Sequence, residues 1–153
     1  MITTLNKIRA YEPCASGWQT LLTNLEKIRA DDEPLAITTI LDSNGLADAL
    51  WCLRAVEGRD REIRLFAVWC ARQVQHLMTD PRSLAALDVA ERFANGEAGD
   101  VELIAAREAA REAARAAGDA SGAAAWDAAW AAVRKAQAAR LREVCAEIER
   151  GKK

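Results

Sequence analysis

Along most of the chain, apolar residues recur at steps of three and four, the spacing that lays them on one face of an α-helix, and no segment reads convincingly as a strand. Thr3 or Thr4 can cap a short helix ending at Arg9, which Tyr11-Glu12-Pro13 breaks because the residue before a proline resists the helical region. The next helix is predicted over 16–30, with Trp18, Leu21, Leu22, Leu25 and Ile28 on one buried stripe. Asp31-Asp32-Glu33-Pro34 interrupts it. Pro34, whose fixed φ suits a first helical position, predicts a helix over 35–41, stopped by the turn-forming Asp42-Ser43-Asn44-Gly45. A further helix is expected over 46–56, closed by Gly58, and a longer one from Asp60 to Met78 that buries Ile63, Phe66, Ala67, Val74 and Leu77. Asp80 is a natural N-cap with Pro81 behind it, and Asn95-Gly96 supplies the left-handed residue that ends the helix of Leu84, Leu87, Val89, Ala90 and Phe93.

Over residues 101–140 alanine fills 19 of 40 positions, interrupted at Gly118-Asp119-Ala120-Ser121-Gly122, which predicts two long helices joined by a tight connection. Alanine has high helix propensity but brings little apolar area, so Leu103, Ile104, Trp126, Trp130, Val133, Leu141 and Val144 are expected to carry the burial. The fold class that results is all-α: a single compact domain over 1–153, with short helices over 1–98 and an alanine-rich helical hairpin over 99–153. The hairpin packs on that core or on a second copy. Trp126 and Trp130, one turn apart, form a face that either packs on the domain or, with Val133, makes the seam of a homodimer. Trp18, Trp51 and Trp69 are read as core. An echo of Ala49-Leu50-Trp51-Cys52 in Ala67-Val68-Trp69-Cys70 is read as two similar packed helices rather than a repeat.

Composition narrows the functional classes. Lys and Arg number 21 against 23 Asp and Glu, a formal charge of −2, so there is no basic excess of the kind that grips nucleic acid. No apolar run reaches the roughly 18–20 residues of a membrane span, and the N-terminus lacks the layout of a secretion signal, so a cytoplasmic protein is expected. Cys14, Cys52, Cys70 and Cys145 are widely spaced, which suits buried free thiols in a reducing compartment. The single histidine, His76, falls late in a predicted helix and makes no metal set. Cys52 and Cys70 lie in apolar stretches that raise a thiol pKa and quieten it. Phosphate-cradling glycine motifs and the nucleophile elbow are missing. The expectation is therefore a protein without catalytic residues, metal or cofactor.

Charge distribution says more than total charge. Residues 31–60 hold Asp31, Asp32, Glu33, Asp42, Asp48, Glu57 and Asp60 against Arg54 and Arg59, a local charge of −5. These acids are either a solvated surface or, through convergence of Asp31, Asp32, Glu33, Glu57 and Asp60, a negative face for a basic partner.

The N-terminal run from Ile2 to Arg9, the stretch from Asp31-Asp32-Glu33-Pro34 to Leu53, and Glu57-Gly58-Arg59-Asp60-Arg61-Glu62-Ile63 carry a resemblance, together with Asp80-Pro81-Arg82-Ser83 and the Ala/Arg/Trp-rich tail. In them the chain resembles an immunity-like helical family of phages, prophages and bacteria. Where tails of that family often repeat Ala-Ala-Trp many times, this one keeps Ala124-Ala125-Trp126-Asp127-Ala128-Ala129-Trp130 and then departs. No catalytic residues come with the resemblance. It is also similar in kind to small acidic anti-CRISPR proteins that block Cas complexes. The resemblance implies a protein that binds Cas subunits or a toxin, and the charge balance and hydropathy add the expectation of no direct contact with nucleic acid or membrane.

Overall fold

The computed structural model describes the backbone of residues 1–117 and 124–151, and the side chains of residues 1–113 and 131–151. Among these residues eight α-helices carry the fold, with one minimal sheet. The chain divides into two compact units, Met1–Arg59 with Ala136–Lys153, and Asp60–Lys135.

In the first unit, strand β1 (Ile2–Thr3) pairs antiparallel with β2 (Leu35–Ala36), Thr3 facing Leu35. This corrects the sequence expectation on two counts, since residues 35 and 36 were assigned to a helix and no strand was expected. The short apolar run Leu35-Ala36-Ile37 carries no periodicity that separates strand from helix. Tertiary bonds decide it: the Ile37 N–H donates to the Met1 carbonyl at 3.1 Å, and the Thr3 hydroxyl, 2% exposed, donates to the Ala55 carbonyl at 2.6 Å. Helix α1 (Leu5–Arg9) follows, capped by Thr4, whose hydroxyl accepts from the Lys7 N–H at 3.2 Å.

Helix α2 (Ala15–Asn24) stops earlier than the pattern predicted. Glu26 takes a left-handed φ of 54°, the Lys27 N–H reaches the Leu22 carbonyl and the Glu26 N–H reaches that of Thr23, which is a Schellman closure without glycine. Ile28, expected in the core, is therefore exposed. Helices α3 (Ile37–Asn44) and α4 (Leu46–Cys52) meet at Gly45, whose φ of 86° lets the chain turn between them. A 3₁₀ turn (Leu53–Ala55) completes this segment.

The C-terminal part of α8 (Ala124–Arg150) belongs to the same unit. Its buried residues Leu141, Val144, Cys145 and Ile148 fall on one stripe, and the Arg142 guanidinium holds Asp42 of α3 at 2.5 Å. Leu5, Ile8, Ile37, Ile40 and Leu141 form the centre of this core, each side chain worth about 1.5–3 kcal/mol of burial.

The second unit contains α5 (Asp60–Arg72), a 3₁₀ turn (Gln75–Leu77), α6 (Pro81–Ala94) and α7 (Asp100–Ala117), α6 packing on both α5 and α7. The predicted caps of α6 are present: Asp80 accepts from the Arg82 N–H at 2.9 Å, and Gly96 at φ 78° closes the end, with the Glu97 N–H on the Arg92 carbonyl. Helix α5 ends six residues before the predicted Met78, so Leu77 is exposed, and so are Ala67 and Ile104. Arginines join the helices: Arg72 pairs with Asp88 and Glu91, Arg92 with Glu102, and Arg64 lies over the Phe93 ring. The connection predicted at 118–122 lies outside the described residues.

Candidate functional site

Three of the five acids singled out from the sequence, Asp31, Asp32 and Glu57, collect around the first turn of α1, and Glu33 joins Asp31 on Lys27. The Asn6 N–H donates to the Asp31 carbonyl at 3.0 Å, the Thr4 hydroxyl to Asp32 Oδ1 at 3.4 Å, and Lys7 Nζ to Glu57 Oε2 at 2.8 Å. Residues 4–7 thus hold two acidic segments, 31–33 and 57, that lie more than twenty residues apart in sequence. Asp31 also folds its own loop, since its Oδ1 accepts from the Glu33 N–H at 3.2 Å. Asp60 belongs to the second unit, exposed in the first turn of α5, where a carboxylate suits the helix dipole.

Two lysines temper this face. Lys27 pairs with both Asp31 and Glu33, and Lys7 pairs with Glu57. The Lys27 ammonium holds the Asp31 carboxyl below its ordinary value, and Asp31 in turn, with Glu33, raises Lys27. Asp42 is neutralised by Arg142. A charge count over a window of sequence therefore overstates the negative surface, because its partner cations come from residues 7, 27 and 142. The signal for Lys27 was present as a basic residue four positions before Asp31, but α2 ends at Asn24, so no helical pairing rule applied.

The remaining candidates settle plainly. The Cys52 thiol is pushed up to about 11, first by burial and then by the Asp48 charge, and burial also raises Cys70 and Cys145. All four cysteines are free, and Cys14 is exposed, contrary to the expectation of four buried thiols. His76 lies exposed in the 3₁₀ turn. Trp18, Trp51 and Trp69 are half-buried instead of core: Trp69 stacks on Phe66, while Trp18 and Trp51 line a cavity within the first unit. Of the proposed seam, Val133 is half-buried, and the side chains of Trp126 and Trp130 lie outside the described residues.

Sequence reasoning missed that cavity. It opens between α2, α3 and α4, measures about 170 Å³, and includes Asp48 and Asn44 in its wall. No described helix is long and apolar enough to cross a membrane. No family model matches the chain, and neither a curated protein nor a solved structure matches it.

Proposed function

We propose that this protein is a non-enzymatic inhibitor from a phage or mobile element that acts in the bacterial cytosol by binding a defence complex, a type I Cas surveillance complex, and blocking its contact with nucleic acid or nuclease. The observation that carries this reading is the gathering of Asp31, Asp32 and Glu57 around the first turn of α1, with Glu33 beside Asp31 on the shared Lys27. Four carboxylates against Lys7, Lys27 and the nearby Arg29 leave that face with a small negative excess, and the hydrogen bonds from Thr4, Asn6 and Lys7 fix its shape before any partner arrives. CRISPR complexes hold nucleic acid in positively charged channels, and a preformed acidic face is complementary to such a surface. Complementarity of this sort raises association rate and selects partners more than it raises raw affinity.

The resemblance to an immunity-like family supports a second reading, in which the same face neutralises a toxin. Affinity purification of the tagged protein from a host with an active type I system, followed by mass spectrometry, separates the two. Cas subunits are the expected product; a single toxin transfers the face to the immunity reading, and retention of neither overturns both. A homodimer through Trp126, Trp130 and Val133 is part of the proposal. Light scattering at micromolar concentration is expected to read twice the 16.7 kDa chain mass, and a monomer rejects the seam.

A further inference from the structure

We infer that the cavity between α2, α3 and α4 binds a small organic monocation with an apolar body, of the arylalkylammonium type. The site lies wholly within the first unit and shares no residue with the acidic face. Its volume of about 170 Å³ is slightly larger than the roughly 150 Å³ that admits a benzene ring. Most of the wall is apolar, from Ile8, Leu21, Ile40 and the indoles of Trp18 and Trp51, and Asp48 is the single acidic or basic side chain in it. A few placed polar groups in an apolar wall are the usual composition of a small-molecule site.

Asp48 is built into that wall. Its Oδ2 accepts from Asn44 Nδ2 at 2.9 Å, and the same amide nitrogen donates to the Gly17 carbonyl at 2.9 Å, which fixes both side chains. Gly17 makes the arrangement possible, since a Cβ there would stand 2.9 Å from Asp48 Oδ2 and 3.2 Å from Cys14 Sγ. Among the described residues no Lys or Arg pairs with Asp48, as with Asp32, whereas Asp31, Glu33, Asp42 and Glu57 in the same unit each have such a partner. A half-buried carboxylate beside indoles and aliphatic carbons favours a cation over a neutral or anionic guest. Arg54 already stacks on the Trp51 ring at 4.3 Å and is not a lining residue, so that ring accepts a cation while the interior stays without one.

The test titrates the full chain with benzylammonium chloride and, separately, with benzyl alcohol, its neutral analogue of similar shape. Binding is read by calorimetry and by NMR shifts of the Trp18 and Trp51 indole N–H signals. Benzylammonium is expected to bind about tenfold more tightly than the alcohol, the gain of a charge-assisted hydrogen bond over a neutral one. Asp48→Asn, which keeps the side-chain shape and an oxygen for the Asn44 amide, is expected to remove that preference. Equal affinity for the two probes, or no shift at either indole, overturns the inference on the unaltered protein even if the variant fails to fold. A preference that survives Asp48→Asn overturns it as well.

Discussion

The two units of this chain are similar in length and, among the described residues, differ in what they bury. In the first, large apolar residues from distant parts of the sequence converge: Met1, Leu5, Ile8, Ile37, Ile40, Leu141 and Ile148 are all buried. In the second, the buried apolar residues among those described are Phe66, Val68, Ala94, Leu103 and Ala113, while Leu77, Leu84, Val101 and Ile104 stay exposed. Among the described residues its helices are also joined by Arg72, Arg92 and Arg64, through pairs of the exposed kind worth about 0–1 kcal/mol each. Helical propensity can make a helix, but burial of large side chains makes a platform. The acidic face and the cavity both lie on the first unit, whose large buried side chains keep the geometry that recognition needs.

The largest effect that sharpens this contrast is expected from truncating each core. Ile40→Ala, at a position with no exposure, should cost about 4 kcal/mol, whereas Leu103→Ala, at a position 7% exposed, should cost about 2 kcal/mol because the site is less fully enclosed. Native-state hydrogen exchange reads the two units separately, and equal losses would break the comparison. A smaller effect is expected at Arg72, which bridges α5 to α6 through Asp88 and Glu91. Arg72→Ala should cost about 1 kcal/mol or less, and the loss should shrink in high salt. A loss as large as that of Ile40→Ala would mean that charge, and not apolar burial, holds the second unit together.

The smallest effect is electrostatic. Asp31 lies below its ordinary value of 3.8, so its pairing contributes in full above that pH and is lost as the pH falls through the depressed value. Lys27 lies above 10.5, so its contribution is full below that pH and is lost as the pH rises through the raised value. Lys27→Gln is expected to move the Asp31 titration midpoint, followed by carboxyl NMR, back up toward 3.8. An unmoved midpoint would assign the shift to the Glu33 N–H instead.

Local chemistry was the legible part of the sequence. Asp80-Pro81 and Asn95-Gly96 mark the ends of α6 because caps depend on residues within a turn of one another. The helical class followed from spacing, and so did the buried stripe of Leu141 and Val144. Long-range pairing was not legible: Leu35-Ala36 becomes a strand because residues 1–3 reach it, and α2 ends at Asn24 on a left-handed Glu26 that no glycine announces. For the site, the spacing of acids indicated a negative face, but Lys7, Lys27 and Arg142 neutralise part of it across distances only the fold sets. Asp48 read as one more surface acid, since nothing in sequence places it against Trp18 and Trp51.

The most direct test of the central claim, that the first unit presents an acidic face to a basic protein, is the affinity for a purified type I surveillance complex after Asp31, Asp32, Glu33 and Glu57 are all replaced by Lys. Binding is expected to be lost while the helical circular-dichroism signal stays intact, and the unaltered protein is expected to bind more weakly as salt rises. Binding that survives the four reversals would contradict it.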